Sequence, residues 1–347
     1  MTHSRPVFWR AAVLLVCAAC ADTNAPAPEP TEALLVVNST ANTLSIVPVD
    51  NPAAAVQVPL GGTTPTPVSV SAFGRTAIVP LGLDNAVAVV DLIDGRVTRR
   101  VPLPANSGAT GSAMVDDSIA FVANPNLNTV SRINYQTGET TEKGVGIYPE
   151  GIVYARGRIF VLNGNLDETF SPAGPSSITV LDPTTTMRLD SIPLTGPGNA
   201  GFGALGGDGL LYVMNTGSFF EGEGRLSIVD PVGLTETASF AGFGAGPGSL
   251  ASDGVSRLYV SSFAEGLMEF DTEANQLLRG AGDGVPIQGN SAVAVDSKGR
   301  VYAIESGPCQ GGQPGFAHVL DTALVARNTI TLGECPSGAV TIQIPPE

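Results

Sequence analysis

Histidine, tryptophan and charged residues are scarce in this chain of 347 residues. It has two histidines and one tryptophan, and 14% of its residues are charged. His3 and Trp9 lie within the first nineteen residues, which leaves His318 as the single histidine of the remaining chain. This scarcity excludes chemistry that depends on a cluster of histidines.

Positive charge is also in short supply. The chain has 17 Lys and Arg residues against 32 Asp and Glu residues. Without Arg5 and Arg10 of the first nineteen residues, 15 remain against 32, a net charge of −17. Such a surface repels nucleic acid and anionic lipid, so we expect no nucleic-acid partner. Low charge together with 42 Gly and 27 Pro predicts many turns and little helix.

No long hydrophobic run is present. The apolar segment 11–19 follows Arg5 and Arg10 and is far shorter than the roughly 20 residues of a membrane-spanning helix. A basic segment followed by a short apolar one is typical of a secretory signal peptide, predicted here for residues 1–19. The segment 20–32 is small, polar and rich in proline, which predicts a tether.

The residues Ala18-Ala19-Cys20 resemble the lipobox of bacterial lipoproteins, although Cys17 stands where that family usually has Leu. The resemblance implies cleavage before Cys20 and lipid attachment to it, with membrane contact through the lipid alone. Ala21 after the cysteine resembles the pattern sorted to the outer membrane. The alternative is an ordinary cleaved signal peptide and a free secreted protein.

One pattern recurs seven times at a spacing near 45 residues: an apolar strand, a turn, and a second apolar strand that usually ends in Asp. The copies occupy residues 34–50, 77–91, 119–134, 159–182, 211–230, 258–271 and 301–321. A strand of small residues precedes most copies and another strand follows, so each repeat predicts a four-stranded antiparallel sheet. Seven such sheets bury their faces by radial stacking, as in a β-propeller.

The first repeat lacks an inner strand, and the residues Gly338 to Ile344 form an extra one at the other end. The prediction is therefore an all-β, seven-bladed, monomeric propeller over residues 33–347, closed by its C-terminal strand. Cys309 and Cys335 fall in two turns of the seventh blade that an antiparallel sheet places on the same face. We predict a disulfide between them, which suits an oxidising compartment.

The phrase at residues 211–215 followed by residues 226–230 (LYVMN and LSIVD) resembles the YVTN-type propeller repeats, near the NHL repeats. The resemblance covers about 315 residues and implies the fold, whereas function has to be argued from a site. No Trp-Asp dipeptide marks the chain as a WD40 propeller.

Three functions other than simple binding are alternatives for such a propeller. A lactonase- or gluconolactonase-like hydrolase would hold a divalent cation, such as Ca²⁺, among channel carboxylates and amides. The candidates are Asn124, Asn163, Asn215, Asp253, Asn290 and Glu305. Asn and Asp after a strand are, however, ordinary turn residues. A lyase would need a general base, and His318 lies in an apolar strand. An electron-transfer subunit would need a cofactor, but no Cys-x-x-Cys-His haem motif is present.

Binding is the function that the sequence favours, with no catalytic residue, metal ligand or cofactor assigned. The turns between the second and third strands are long in the fourth, fifth and seventh repeats, and loops on a rigid scaffold commonly carry binding. We expect these loops to form one rim for a protein or glycan partner at the cell envelope. Its predicted residues are Asp167, Glu168, Phe170, Phe219, Phe220, Glu221, Glu223 and Phe316. The alternative is that the aromatic side chains fold back over the channel mouth.

Overall fold

A computed structural model describes Met1 and residues 29–346 of the chain. The predicted signal peptide (1–19, apart from Met1), Cys20 and most of the predicted tether lie outside the described residues. Within the described part, helix is confined to two short 3₁₀ turns, Pro52–Ala54 and Pro125–Leu127. No described helix has the length and apolar character needed to cross a bilayer.

The described residues form 28 strands in seven antiparallel sheets of four, which confirms the seven-bladed propeller. From the inner to the outer strand, blade 1 consists of β28 (Pro336–Ile344), β1 (Thr31–Asn38), β2 (Thr43–Pro48) and β3 (Val56–Pro59). Blade 2 consists of β4 (Ser71–Phe73), β5 (Thr76–Pro80), β6 (Ala86–Asp91) and β7 (Arg96–Pro102). Blade 3 consists of β8 (Ser112–Met114), β9 (Ile119–Asn124), β10 (Thr129–Asn134) and β11 (Thr140–Gly144), and blade 4 of β12 (Pro149–Ala155), β13 (Arg158–Asn163), β14 (Ser177–Leu181) and β15 (Arg188–Pro193).

The remaining three blades follow the chain in the same inner-to-outer order. Blade 5 consists of β16 (Ala200–Leu205), β17 (Leu211–Asn215), β18 (Arg225–Asp230) and β19 (Thr235–Ala241). Blade 6 consists of β20 (Pro247–Ser252), β21 (Arg257–Ser262), β22 (Gly266–Asp271) and β23 (Gln276–Arg279). Blade 7 consists of β24 (Asn290–Val295), β25 (Val301–Glu305), β26 (Phe316–Leu320) and β27 (Ala326–Thr331).

The C-terminal strand closes the ring as the sequence predicts. β28 pairs with β1 along its whole length, from Thr31 opposite Ile344 to Asn38 opposite Pro336. Strand β1 begins at Thr31, two residues before the domain boundary predicted at residue 33. The Glu32 carboxylate accepts hydrogen bonds from the backbone N–H and the hydroxyl of Ser297, at 2.8 and 2.6 Å, so this residue already contacts blade 7.

The apolar core lies between the blades. Each of the seven hydrophobic clusters combines side chains of two neighbouring blades; Leu35 of blade 1 packs with Val79 of blade 2, and Leu34 packs with Tyr302 of blade 7. The second strand of each blade is therefore buried on both faces, which explains why its residues form a continuous apolar run and do not alternate between apolar and polar. The outermost strands are largely exposed and carry Arg and Thr, as in β7.

Candidate functional site

The turns between second and third strands lie on the same face as the connections from each blade to the next. Direct contacts show this: the Gly164 N–H donates to the Tyr148 carbonyl oxygen at 2.8 Å, and the Thr216 N–H donates to the Asn199 carbonyl oxygen at 2.9 Å. We call this side of the ring the loop face. It carries all three long loops that the sequence singled out, at residues 164–176, 216–224 and 306–315.

The predicted disulfide is confirmed on the loop face. Cys309 and Cys335 are joined with a Cα–Cα distance of 4.5 Å. Cys309 belongs to the long loop of blade 7, and Cys335 lies in the connection that leads into β28. The bond therefore fastens the last blade to the strand that closes the ring.

Three of the six amides and carboxylates considered as metal ligands serve the blades themselves. Asn124, Asn163 and Asn215 each end a second strand, are fully buried, and donate through Nδ2 to a hydroxyl of the third strand. The partners are Ser131 at 2.9 Å, Thr179 at 3.1 Å and Ser227 at 2.9 Å, and Asn38 of blade 1 makes the same bond to Ser45 at 2.9 Å. These amides hold strands together and do not converge on a common point.

The other candidates are also dispersed. Asp253 accepts three backbone N–H bonds of its own turn, from Val255, Ser256 and Arg257 at 2.8 to 2.9 Å. Glu305 lies 2.7 Å from His318, Oε2 to Nε2, at the position where blades 1, 3, 4 and 5 have Asn and a hydroxyl. The described residues contain no group of three or more His, Cys, Asp or Glu side chains placed to hold a metal ion.

An aromatic cluster stands at the loop face between blades 5 and 7. The Phe219 ring lies 5.3 Å from that of Phe220 and 6.3 Å from that of Phe263, centroid to centroid. Phe219 folds back toward the channel mouth, and a Cβ built on Gly246 would lie 3.2 Å from its ring. Phe220 is 85% exposed and is not among the residues that line the cavity. Phe219 therefore follows the alternative in which the aromatic side chains fold back over the channel mouth, whereas contact of Phe220 with a partner stays a prediction.

The other predicted rim residues are less closely grouped. Phe170 is 66% exposed and packs edge-on against Tyr148 at 5.9 Å. Asp167 is used within its own loop, because its carboxylate accepts hydrogen bonds from the Thr169 hydroxyl and N–H and from the Ser171 N–H. The Thr169 hydroxyl, followed by these N–H groups, lowers the pKa of Asp167. Glu168 is exposed.

Glu221, Glu223 and Phe316 complete the predicted set. Glu221 and Glu223 are exposed on the blade 5 loop, and Glu223 accepts a hydrogen bond from the Ser218 N–H at 3.2 Å. Phe316 is the first residue of β26 and is half-buried, so it belongs to the sheet and not to the loop. The structure brings the blade 5 residues together, whereas Phe316 stays apart from them.

A central cavity of about 540 Å³ opens on the loop face. Residues from the inner strand, or just before it, of every blade line the cavity, and Phe219 and Phe263 lie at its mouth. Glycine, serine, threonine and aliphatic residues form most of the wall. Glu150 of blade 4 is the one ionisable side chain among the lining residues.

Glu150 enters the cavity wall through a β-bulge. In blade 4, Pro149 pairs with Asn163 and Gly151 pairs with Leu162, so Glu150 has no partner of its own. The same irregularity occurs in blades 1, 5, 6 and 7, where it sets aside Ser337, Gly201, Gly248 with Ser249, and Ser291. Bulges redirect a side chain locally, and all of these residues line the cavity. Glu150 thus occupies a position that the other bulged blades fill with small, uncharged residues.

Burial raises the pKa of the Glu150 carboxyl to about 7. The cause is desolvation, since no cationic group and no hydrogen-bond donor of the described chain satisfies the carboxylate. The walls enclose the carboxyl, although the residue keeps some contact with the open cavity. Burial, followed by the charge of Glu150, also raises the pKa of Tyr148 to about 12.

Two further polar side chains of the wall lack partners. Asn290 is 1% exposed, and neither its Nδ2 nor its Oδ1 has a hydrogen-bond partner within the described structure. The Ser337 hydroxyl, at the bulge of blade 1, is also buried without one. Most buried polar groups in proteins are paired, so an unpaired donor and acceptor in a cavity wall indicate a place for a ligand.

Sequence reasoning named Asn290 in a different role and missed Glu150. A usable signal was present: Glu150 is the one charged residue within the seven inner strands of the described structure. The sequence does not show that pairing slips by one residue there, and this slip is what directs the carboxyl into the wall.

No family model matches the chain, and no curated protein matches it significantly. Among solved structures, hydrazine synthase of Kuenenia stuttgartiensis is similar, with a TM-score of 0.64 and 15% sequence identity. The match covers 80% of this chain and 90% of that one. At this identity the likeness concerns the propeller fold alone.

Proposed function

We propose that this protein is a binding module, displayed at the cell envelope, that receives a protein or glycan partner on its loop face. The observation that carries the proposal is the cluster of Phe219, Phe220 and Phe263 at the cavity mouth, with Phe220 largely exposed. Exposed aromatic rings on a rigid scaffold are typical anchors of binding surfaces, because they bury a large area on contact and lose little side-chain entropy.

The surroundings of the cluster suit such a partner. Glu221 is exposed beside Phe220, and Glu168 is exposed on the neighbouring long loop. The two loops are linked through the connection 194–199, since Asn199 donates to the Gly164 carbonyl oxygen at 2.7 Å and accepts from Thr216. Aromatic rings with acids at their edge favour a basic or hydroxyl-rich partner surface. The propeller supplies the rigidity that keeps these side chains in place.

The test is a triple substitution in the cluster, Phe219→Ala with Phe220→Ala and Glu221→Ala. We expect it to lose the partners that the unaltered protein captures from envelope extract, or its signal on a glycan array. Phe73→Ala is the matched control, because Phe73 is also exposed but lies at the far end of an inner strand. If the triple variant folds normally and keeps every partner, the loop face is not the binding surface.

We further propose export and lipid attachment at Cys20, on the strength of Ala18-Ala19-Cys20 and the proline-rich segment after it. The Cys309–Cys335 bond suits an oxidising compartment, which supports export. The chain would be of the YVTN or NHL kind and reside at the outer membrane. Cys20→Ser should leave the exported protein soluble, as measured by fractionation, whereas an unmodified N-terminus in the mass of the unaltered protein would rule out the anchor.

A further inference from the structure

We propose that the central cavity is a binding site for a small, hydroxyl-rich primary amine, whose ammonium group binds the Glu150 carboxylate and whose hydroxyl groups bind Asn290 and Ser337. This site lies inside the mouth that Phe219 and Phe263 border, and it does not depend on the partner proposed for the loop face.

Room has been left for the Glu150 carboxyl in the neighbouring blade. A Cβ built on Gly201 would lie 2.7 Å from Glu150 Oε2, closer than real contacts allow. Gly201 occupies the bulge position of blade 5, and the next blade has Gly248 at its own bulge. A side chain at residue 201 would displace the carboxyl, so the arrangement of blades 4 and 5 fits an acid at position 150.

The carboxylate needs a cation that the described residues do not supply. The cavity wall contains no Lys, Arg or His. Four strands pack against β12, namely β8, β9, β13 and β16, and their one charged residue is Arg158, which lies opposite Ala155 at the far end of β12. Tyr148 is a neutral neighbour, and Asp167 and Glu168 on the adjacent loop are acids. An enclosed carboxylate without a counterion is costly, and a ligand that brings the positive charge removes that cost.

An organic ammonium fits the wall better than a metal ion. Calcium takes six to eight oxygen ligands, commonly from several carboxylates, and magnesium demands octahedral geometry. The wall offers a single carboxylate. A primary ammonium needs only about three acceptors, and its partly apolar carbon chain tolerates the glycine and aliphatic surface around it.

The unpaired groups of blades 7 and 1 define the rest of the ligand. Asn290 has an unpaired donor and an unpaired acceptor, and Ser337 has an unpaired hydroxyl; all three groups are buried in the wall, so a ligand reaches them by displacing the atoms that cover them. A hydroxyl group of a ligand can donate and accept at once, so it satisfies either side chain. The cavity volume of about 540 Å³ lies within the range of small-molecule sites. A polyol chain with a terminal amine meets all three requirements.

The probes are glucamine, a six-carbon polyol with a terminal primary amine, and sorbitol, which has a hydroxyl in place of that amine. Binding of each is measured by titration calorimetry and by ligand-observed NMR. We expect glucamine to bind the unaltered protein at least about tenfold more tightly than sorbitol, as a charge-assisted bond implies. Glu150→Gln, which keeps the shape of the side chain, should remove this difference.

Asn290→Ala should weaken glucamine and sorbitol alike, and Glu142→Gln, an exposed acid on the outer strand β11, should change neither. Glucamine should also bind about tenfold more weakly near pH 6 than near pH 8, because Glu150 ionises around pH 7 while the amine stays charged. Equal binding of the two probes, no binding of either, or a preference that survives Glu150→Gln would overturn the proposal.

Discussion

Glu150 shows how a single residue is set apart by its position in a repeated frame. The bulge positions of the other blades hold small or uncharged side chains that need little from their surroundings. At position 150 an acid lies in the same wall, and desolvation raises its pKa to about 7 because nothing nearby favours the charged form. The residue is therefore a liability for folding, which agrees with a role in binding.

The cost of burying the Glu150 carboxylate should make the free energy of unfolding depend on pH. The carboxyl of an unfolded glutamate titrates near 4.5, so between pH 4.5 and 7 the folded protein holds a proton that the unfolded chain has lost. Stability from this group is thus present below pH 4.5 and falls as the pH rises to 7, by up to about 3 kcal/mol. Glu150→Gln should be more stable than the unaltered protein at pH 8 and differ little at pH 4.5.

Denaturant unfolding at several pH values measures both curves. The result that counts against the raised pKa is a constant difference between Glu150→Gln and the unaltered protein across this pH range. Glu168→Gln serves as the control, because an exposed carboxyl gains little from losing its charge.

Single residues were the hardest part to predict. The pair Cys309 and Cys335 could be predicted because the turn geometry leaves one partner for each. Phe219 and Phe220 are adjacent in the sequence, yet one covers the cavity mouth and the other points to solvent. Their rotamers depend on Phe263 and Gly246 of the next blade, contacts that the sequence of the loop alone does not contain.

Among the elements, the second and third strands of a blade are tied by one recurring bond. An asparagine at the end of the second strand donates to a serine or threonine hydroxyl of the third in blades 1, 3, 4 and 5. In blade 4 the Asn163 Oδ1 also accepts from the Gly146 N–H at 3.0 Å, which joins the blade to the connection that precedes it. One amide thus satisfies groups on two separate segments.

Asn163→Ala should therefore be strongly destabilising. It leaves the Thr179 hydroxyl and the Gly146 N–H without this partner, and each buried unpaired group costs about 1 to 3 kcal/mol, so we expect a loss of about 2 to 6 kcal/mol. Asn328→Ala on an exposed outer strand is the matched control and should change stability by less than about 0.5 kcal/mol. Comparable unfolding midpoints for the two variants would show that the amide bond contributes little.

The elements themselves could be predicted well from the sequence, because the apolar runs on both sides of a short turn recur in every blade. The residues at which the strands begin and end could not be predicted. Strand β1 begins at Thr31 because Thr31 pairs with Ile344 of β28, a contact between residues at opposite ends of the propeller sequence. Phe316 likewise joins β26 by pairing with Glu305, which shortens the blade 7 loop.

For the molecule as a whole, stability comes from seven interfaces of similar kind arranged in a ring. Each apolar cluster needs side chains from two blades, so no blade has a core of its own. The architecture could be predicted from the repeat count, since seven incomplete sheets have few other ways to bury their faces. The side chains that line the cavity could not be predicted, because the wall is assembled from one short segment of every blade.

Deletion of residues 339–347 should open the ring. It removes most of β28 and exposes the edge of β1. It also removes the side chains of Ala339, Val340 and Ile342, which pack against the apolar clusters on either side of blade 1, and so exposes the residues that they cover. An unpaired, apolar strand edge promotes association, so we expect aggregation, measured by light scattering after size exclusion. Deletion of residues 345–347 is the control because β28 ends at Ile344. A monomeric 339–347 deletion with normal melting would contradict this account of closure.

Ring closure by β28 and β1 also determines how the protein faces its surroundings. Strand β1 runs from Thr31 to Asn38 at the loop face, a length of roughly 25 Å, and the antiparallel β28 returns to Ile344 beside Thr31. The chain therefore enters and leaves the ring on the side away from the cavity mouth. Attachment through either terminal segment keeps a full blade height between the attachment point and the mouth. If the chain is anchored through its N-terminal segment, as proposed, a molecule that diffuses toward the protein from the bulk medium meets the open mouth first.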